Sequence, residues 1–142
     1  MTMHASCELC DQVGGALVFE SEKLRVVMVD DPHYPGFCRV IWNEHAQEMT
    51  DLSQDERDLF TQVVWQVEAA LREVMHPTKV NIASLGNVVP HLHWHVIPRF
   101  SDDAHFPSPI WSDAKRVTAP EVMAARKALL PKLCISILQY IE

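Results

Sequence analysis

Three histidines, His91, His93 and His95, alternate with Leu92, Trp94 and Val96. Successive side chains of a strand point to opposite faces, so an extended segment sets three imidazoles on one face and three apolar groups on the other. Neighbouring imidazoles then stand some 6–7 Å apart along the strand. Near neutral pH an imidazole serves as nucleophile, proton donor or metal ligand. Three on one face suit either a zinc site, for which H-x-H on a strand is apt, or a nucleophile flanked by helpers. Surface histidines on an exposed strand are the plain alternative, and a chain of this composition seldom produces H-x-H-x-H by chance. Spacing alone does not separate metal from nucleophile.

Cys7-x-x-Cys10 is a second candidate. Thiolates at this spacing in a tight turn are good zinc ligands, but a closed site needs four, and free thiols are the alternative. A redox pair is disfavoured, because no strand-then-helix pattern accompanies it. Cys38 and Cys134 have apolar neighbours and read as small buried residues. In a reducing compartment no disulfide framework is expected.

Elements must position these groups. Residues 16–20 and 24–29 read as two strands around Ser21-Glu22-Lys23. Residues 31–36 carry two prolines and a glycine and read as a loop, followed by a strand over 37–42. Ser53 and Glu56 form an S-x-x-E capping box. Behind it Leu59, Phe60, Val63, Val67, Ala70, Leu71 and Val74 recur at helical spacing, and the helix should end near His76, before Pro77. Residues 79–84 read as a strand, 85–87 as a turn and 91–97 as the histidine strand, which Pro98 should weaken or end. Residues 106–111 form a proline-punctuated loop, from which Trp111 is a candidate to reach the site. Thr118 and Glu121 suggest another capping box, starting a helix to about 130 that Pro131 breaks, with a last apolar helix over 133–141. The order predicts an α+β fold, an antiparallel sheet with helices packed on it.

The chain has 142 residues, 48% hydrophobic and 22% charged, which suits one soluble globular domain. A net charge of −7 disfavours a nucleic acid polymer as partner, since that needs a basic face. No apolar run approaches the ~20 residues that span a bilayer, so no membrane partner is expected. Met1-Thr2-Met3-His4 shows no basic stretch leading into an apolar one; no signal peptide and a cytoplasmic location are expected.

Residues 91–97 fit H-φ-H-φ-H-φ-φ, with φ apolar, and continue into Pro98-Arg99. With the run from Asn81 to Asn87 and Pro35-Gly36 before a strand, this resembles the histidine-triad (HIT) family, and in particular its bacterial nucleotide hydrolases. The similarity covers roughly residues 7–100, which implies a single HIT domain over 1–142 with that core and a C-terminal extension from about 101. The implied fold is a sheet of about five antiparallel strands carrying a long helix and a C-terminal helix. The implied activity is hydrolysis or transfer at the α-phosphate of a dinucleoside polyphosphate, nucleoside phosphoramidate or nucleotidyl sugar.

The resemblance also implies roles. The catalytic triad is His91, His93 and His95. His93 is the nucleophile that forms a nucleotidyl-histidine, and His95 assists the bridging oxygen or leaving group. Asn81 and Asn87 match substrate or phosphate contacts, and Asp30 a ribose contact, although Asp at a strand end and Asn after Gly86 are also ordinary turn chemistry. Several bacterial members carry a structural zinc set, and the resemblance implies Cys7, Cys10, His45 and His91 as that set here, with no metal required for chemistry. A homodimer is implied, with the helix from Ser53 as an interface element. Two positions depart from the pattern: Phe37 stands where many members have histidine, and Asn87 where many have glutamine. Two rivals follow, a zinc enzyme using the triad as ligands and a nucleotide-binding module with little catalysis.

Overall fold

The computed structural model describes residues 7–142, so the reading of Met1 to His4 lies outside the described residues. Five strands form, β1 (Ala16–Glu20), β2 (Leu24–Met28), β3 (Cys38–Trp42), β4 (Lys79–Ala83) and β5 (His93–Arg99). They make one antiparallel sheet in the order β1-β2-β3-β5-β4. The helices are α1 (Glu8–Asp11), α2 (Gln54–Met75), α3 (Pro120–Lys127) and α4 (Leu130–Ile141). This is the expected α+β arrangement.

Alternation decides which face of the sheet meets the helices. Leu24, Val26, Cys38, Val40, Trp42, Val80 and Val96 point to one side and meet Phe60, Val63, Val67, Ala70 and Leu71 of α2 and Leu133 and Ile137 of α4. Burying each large side chain of this kind contributes about 1.5–3 kcal/mol. Trp42 meets Phe60 with ring centroids 5.2 Å apart. Helix α2 starts on the expected capping box: Ser53 Oγ accepts from the Glu56 N–H at 3.2 Å, and Glu56 Oε1 accepts from the Ser53 N–H at 2.9 Å. It ends at His76, whose left-handed φ of 49° turns the chain before Pro77. Pro35-Gly36 works similarly: Gly36 has φ +93°, and a Cβ there would collide with the Met75 sulfur.

Four local expectations need correcting. The histidine strand begins at His93, because the His91 N–H turns back to the Val89 carbonyl and the Leu92 N–H goes to the Ala46 carbonyl beyond the end of β3. Pro98 does not end β5: pairing with β3 stops at Val96, so the missing N–H of Pro98 interrupts no ladder on that side. Thr118 does not cap a helix; its hydroxyl donates to the Asp102 carbonyl at 2.7 Å, and α3 begins at Pro120 with no side-chain cap. Pro131 lies in the first turn of α4, where its absent N–H costs nothing, so the last helix starts at Leu130.

Candidate active site

The face of β2, β3 and β5 away from α2 and α4 carries Arg25 and Val27, Arg39 and Ile41, then His93, His95, Ile97 and Arg99, all buried except Arg39. Across the ladder His93 faces Ile41, and His95 faces Arg39 on one side and Ala83 on the other. The rings of His93 and His95 lie 4.9 Å apart, edge to face. Leu92 and Val96 enter the core on the opposite side, with Trp94 packed against it, so the predicted division of faces holds.

His93 is held in one tautomer. Its Nδ1 lies 2.5 Å from the His91 carbonyl oxygen. A carbonyl only accepts, so Nδ1 carries the proton and Nε2 keeps its lone pair. Ser84 Oγ donates to the His93 carbonyl at 2.8 Å and fixes the backbone from the β4 side. Burial and the nearby Arg39 charge favour the neutral ring, against the carbonyl hydrogen bond. A neutral imidazole with a free ring nitrogen is the form able to attack an electrophile.

His95 sits among rings, with Phe37 at 5.6 Å and Trp111 at 5.2 Å between centroids. Its Nδ1 is buried without a hydrogen-bond partner. Burial first, then the His93 and Arg39 charges, push its pKa down to about 4. Trp111 arrives from the C-terminal loop, as expected. That loop is pinned by a buried network that the sequence did not reveal. Arg99 donates to Asp103 at 2.8 and 3.1 Å, to Asn81 Oδ1 at 2.7 Å and to the Ser108 carbonyl at 2.7 Å. Tyr34 donates to Asp103 or His105, whose acceptor atoms lie 3.2 and 2.6 Å from its hydroxyl.

The first triad histidine turns elsewhere. His91 Nε2 lies 2.6 Å from the Trp42 carbonyl and must donate to it, so Nδ1 offers a lone pair. That lone pair faces Cys7 Sγ at 3.3 Å and Cys10 Sγ at 3.5 Å. His45 Nδ1 lies 3.4 Å from Cys10 Sγ, and all four ligand atoms fall within 4.8 Å of one another. A tetrahedral zinc bound at ~2.3 Å to sulfur and ~2.0 Å to nitrogen requires ligand separations of roughly 3.5 Å. This Cys7, Cys10, His45, His91 group can hold a metal, and among the described residues it is the one such group found. The carbonyl beyond the Nε2–H fixes the ligand tautomer, as at many metal-bound histidines.

The other predicted residues are placed less centrally. Asn81 accepts from Arg99 at its amide oxygen, and no hydrogen bond from its N–H₂ is seen among the described residues. Asp30, just past β2, and Asn87, in the β4–β5 loop, are exposed and make no hydrogen bond to the histidines. Phe37 is buried with Tyr34 and Ile97. Arg39 was missed; its signal was a charge within the otherwise apolar run Cys38-Arg39-Val40-Ile41-Trp42.

The family model described as HIT domain matches residues 11–102, about two thirds of the chain. The chain belongs to the HIT family. An uncharacterized HIT-like protein of Mycoplasma genitalium is 26% identical over 72% of this chain and 79% of its own length. The asymmetrical bis(5'-nucleosyl)-tetraphosphatase of Schizosaccharomyces pombe is 34% identical over 63% of this chain and 52% of its own. An AP-4-A phosphorylase of Mycobacterium tuberculosis is 30% identical over 65% of this chain and 50% of its own. The HIT chain thus spans about half the length of these two enzymes. A histidine triad protein from Bradyrhizobium japonicum superposes with a TM-score of 0.73 at 23% identity, over 99% of this chain and 98% of its own. A zinc-bound histidine triad family protein from Mycobacterium smegmatis superposes with a TM-score of 0.64 at 22% identity, over 94% of both chains. These two likenesses establish the fold. No helix among the described residues is long and apolar enough to cross a membrane.

Proposed function

We propose that this HIT protein cleaves a phosphoanhydride or phosphoramidate at the α-phosphate of a nucleotide, with His93 as nucleophile. The observation that carries this reading is the Nδ1–H of His93 committed to the His91 carbonyl, which leaves Nε2 as the attacking atom. Nε2 forms a bond to phosphorus while the bond to the leaving group breaks. Water then cleaves the phosphorus–nitrogen bond, releases the nucleoside monophosphate and returns His93 to its starting form. His95, uncharged in the free protein, donates one hydrogen bond to the bridging atom or leaving group as charge develops there. The asymmetrical tetraphosphatase and AP-4-A phosphorylase relatives support a nucleotide substrate. In this reading Asp30 meets the ribose, the amides of Asn81 and Asn87 meet substrate, and residues from about 101 onward form an extension that walls the site with Trp111.

The cluster of Cys7, Cys10, His45 and His91 is read as a structural zinc site, a role supported by the zinc-bound relative of the same fold. Zinc there would tie the N-terminal segment to the residue whose carbonyl orients His93, and the chemistry would not pass through it. The rival use of all three triad histidines as zinc ligands is disfavoured, because His91 faces the cysteines while His93 Nδ1 is a donor. A cytoplasmic homodimer completes the reading, supported by Leu59 and Trp65 exposed on α2; a monomeric mass in solution would remove the dimer.

A substrate panel of dinucleoside polyphosphates and nucleoside phosphoramidates, run on the wild type and His93→Ala, tests the assignment. The wild type should turn over at least one class, and the variant should keep its fold and lose turnover on both. Near-normal rates in a folded His93→Ala protein contradict it.

A further inference from the structure

Three arginines, Arg25, Arg39 and Arg99, project from the histidine face of the sheet, and two are fully engaged. Arg25 donates to the carbonyls of Leu9, Gln12 and Val13 and to Asn43 Oδ1, at 2.8–3.0 Å. Arg99 holds Asp103, Asn81 and the Ser108 carbonyl. Arg39 differs. Its one hydrogen bond is long, from Nη1 to the Gly14 carbonyl at 3.4 Å. Its Nε is buried with no partner, and no carboxylate pairs with it among the described residues. Glu8 contributes only a favourable field to it.

Arg39 is part-exposed, and its guanidinium also lies 5.9 Å from the Phe37 ring centroid. A buried guanidinium N–H left without a partner is nonetheless costly, and native structures seldom keep such a group without a use. The position of Arg39 suggests what that use is. It is the cross-strand partner of His95 and lies two residue pairs from Ile41–His93, the next pair on the same face. Its side chain shares their face, because Cys38 and Val40 on either side enter the core. A planar fork of N–H donors on the same sheet face as the attacking nitrogen suits phosphate oxygens.

We propose that Arg39 is a substrate-contacting residue, donating to the non-bridging oxygens of the phosphate held against His93 and His95. The assignment rests on the nucleotide reading above and makes the ligand an anionic phosphoryl group rather than an uncharged nucleoside. Arg39 neutralises charge that would otherwise repel incoming electron density, and its donors find the acceptors the protein does not supply.

Calorimetric titration of the full chain with AMP and with adenosine tests this. The wild type should bind AMP at least roughly ten-fold more tightly than adenosine, as a charge-assisted contact implies. Arg39→Met should remove most of that preference, leave adenosine affinity unchanged and not lower the melting temperature; Arg39→Lys should restore part of the preference. An unchanged preference in Arg39→Met, or equal weakening of both ligands, overturns the assignment and leaves the nucleotide reading standing. A wild type that does not prefer AMP overturns both. If Arg39→Met fails to fold, Arg39→Gln takes its place; failure of both makes the residue structural and also overturns the proposal.

Discussion

Replacing His95 with phenylalanine should make the protein less sensitive to acid. The His95 ring is only 6% exposed, touches Phe37 and Trp111, and buries Nδ1 without a partner. Its pKa lies at about 4 in the folded chain. An unfolded imidazole titrates near ~6.5. Between those values the unfolded chain holds a proton that the folded chain does not, so stability rises with pH. The contribution is fully present above about 6.5 and is lost as pH falls toward 4. The gap corresponds to about 3 kcal/mol in full, of which about 2 kcal/mol is gone by pH 5. Phenylalanine keeps the ring, suits its apolar neighbours and has no proton to bind. Urea denaturation of both proteins at pH 7.5 and pH 5 measures the difference. Every other histidine is common to the two proteins, so comparing the two pH drops at equal metal content isolates His95. The wild type should lose about 2 kcal/mol more than His95→Phe. Equal losses would refute the argument that burial holds this ring neutral.

Protein purified without chelator should contain one zinc per chain, and a strong chelator should lower the melting temperature by several degrees or more, since a metal bound to the folded state adds its binding free energy to folding. Cys10→Ser should weaken both effects; absence of zinc in unchelated material counts against the site. Asp103→Ala leaves Arg99 buried without its carboxylate, so stability should fall by about 3–5 kcal/mol. The same change should unpin the loop carrying Trp111 and increase its solvent quenching; unchanged stability would show that the buried pair contributes nothing.

Much of this arrangement was legible because it follows from short-range rules. Ser53 and Glu56 announce the start of α2 through two local hydrogen bonds, and the apolar spacing behind them gives the buried face. Alternation at 92–96 separates core from site. Cys7, Cys10, His45 and His91 were legible only through family resemblance, since folding joins segments over 80 residues apart. The Arg99–Asp103 network was hidden for another reason: its partners Tyr34, Asn81 and Ser108 come from separate loops and strands, and no local spacing encodes them. Thr118 misled because its hydroxyl found the Asp102 carbonyl before any helix N–H. His91 looked like a strand residue by alternation, yet its ring serves the cysteine pair and its carbonyl serves His93. Sequence position could not reveal that double use.

The central claim is that one ring nitrogen of His93 becomes bonded to phosphorus. Rapid acid-free quenching during turnover of a dinucleoside polyphosphate, followed by peptide mass spectrometry, measures it. The account predicts a nucleoside monophosphate adduct on the peptide containing His93, absent from His93→Ala. An actively turning-over enzyme that never carries the adduct, or that carries it on His95 instead, would contradict it.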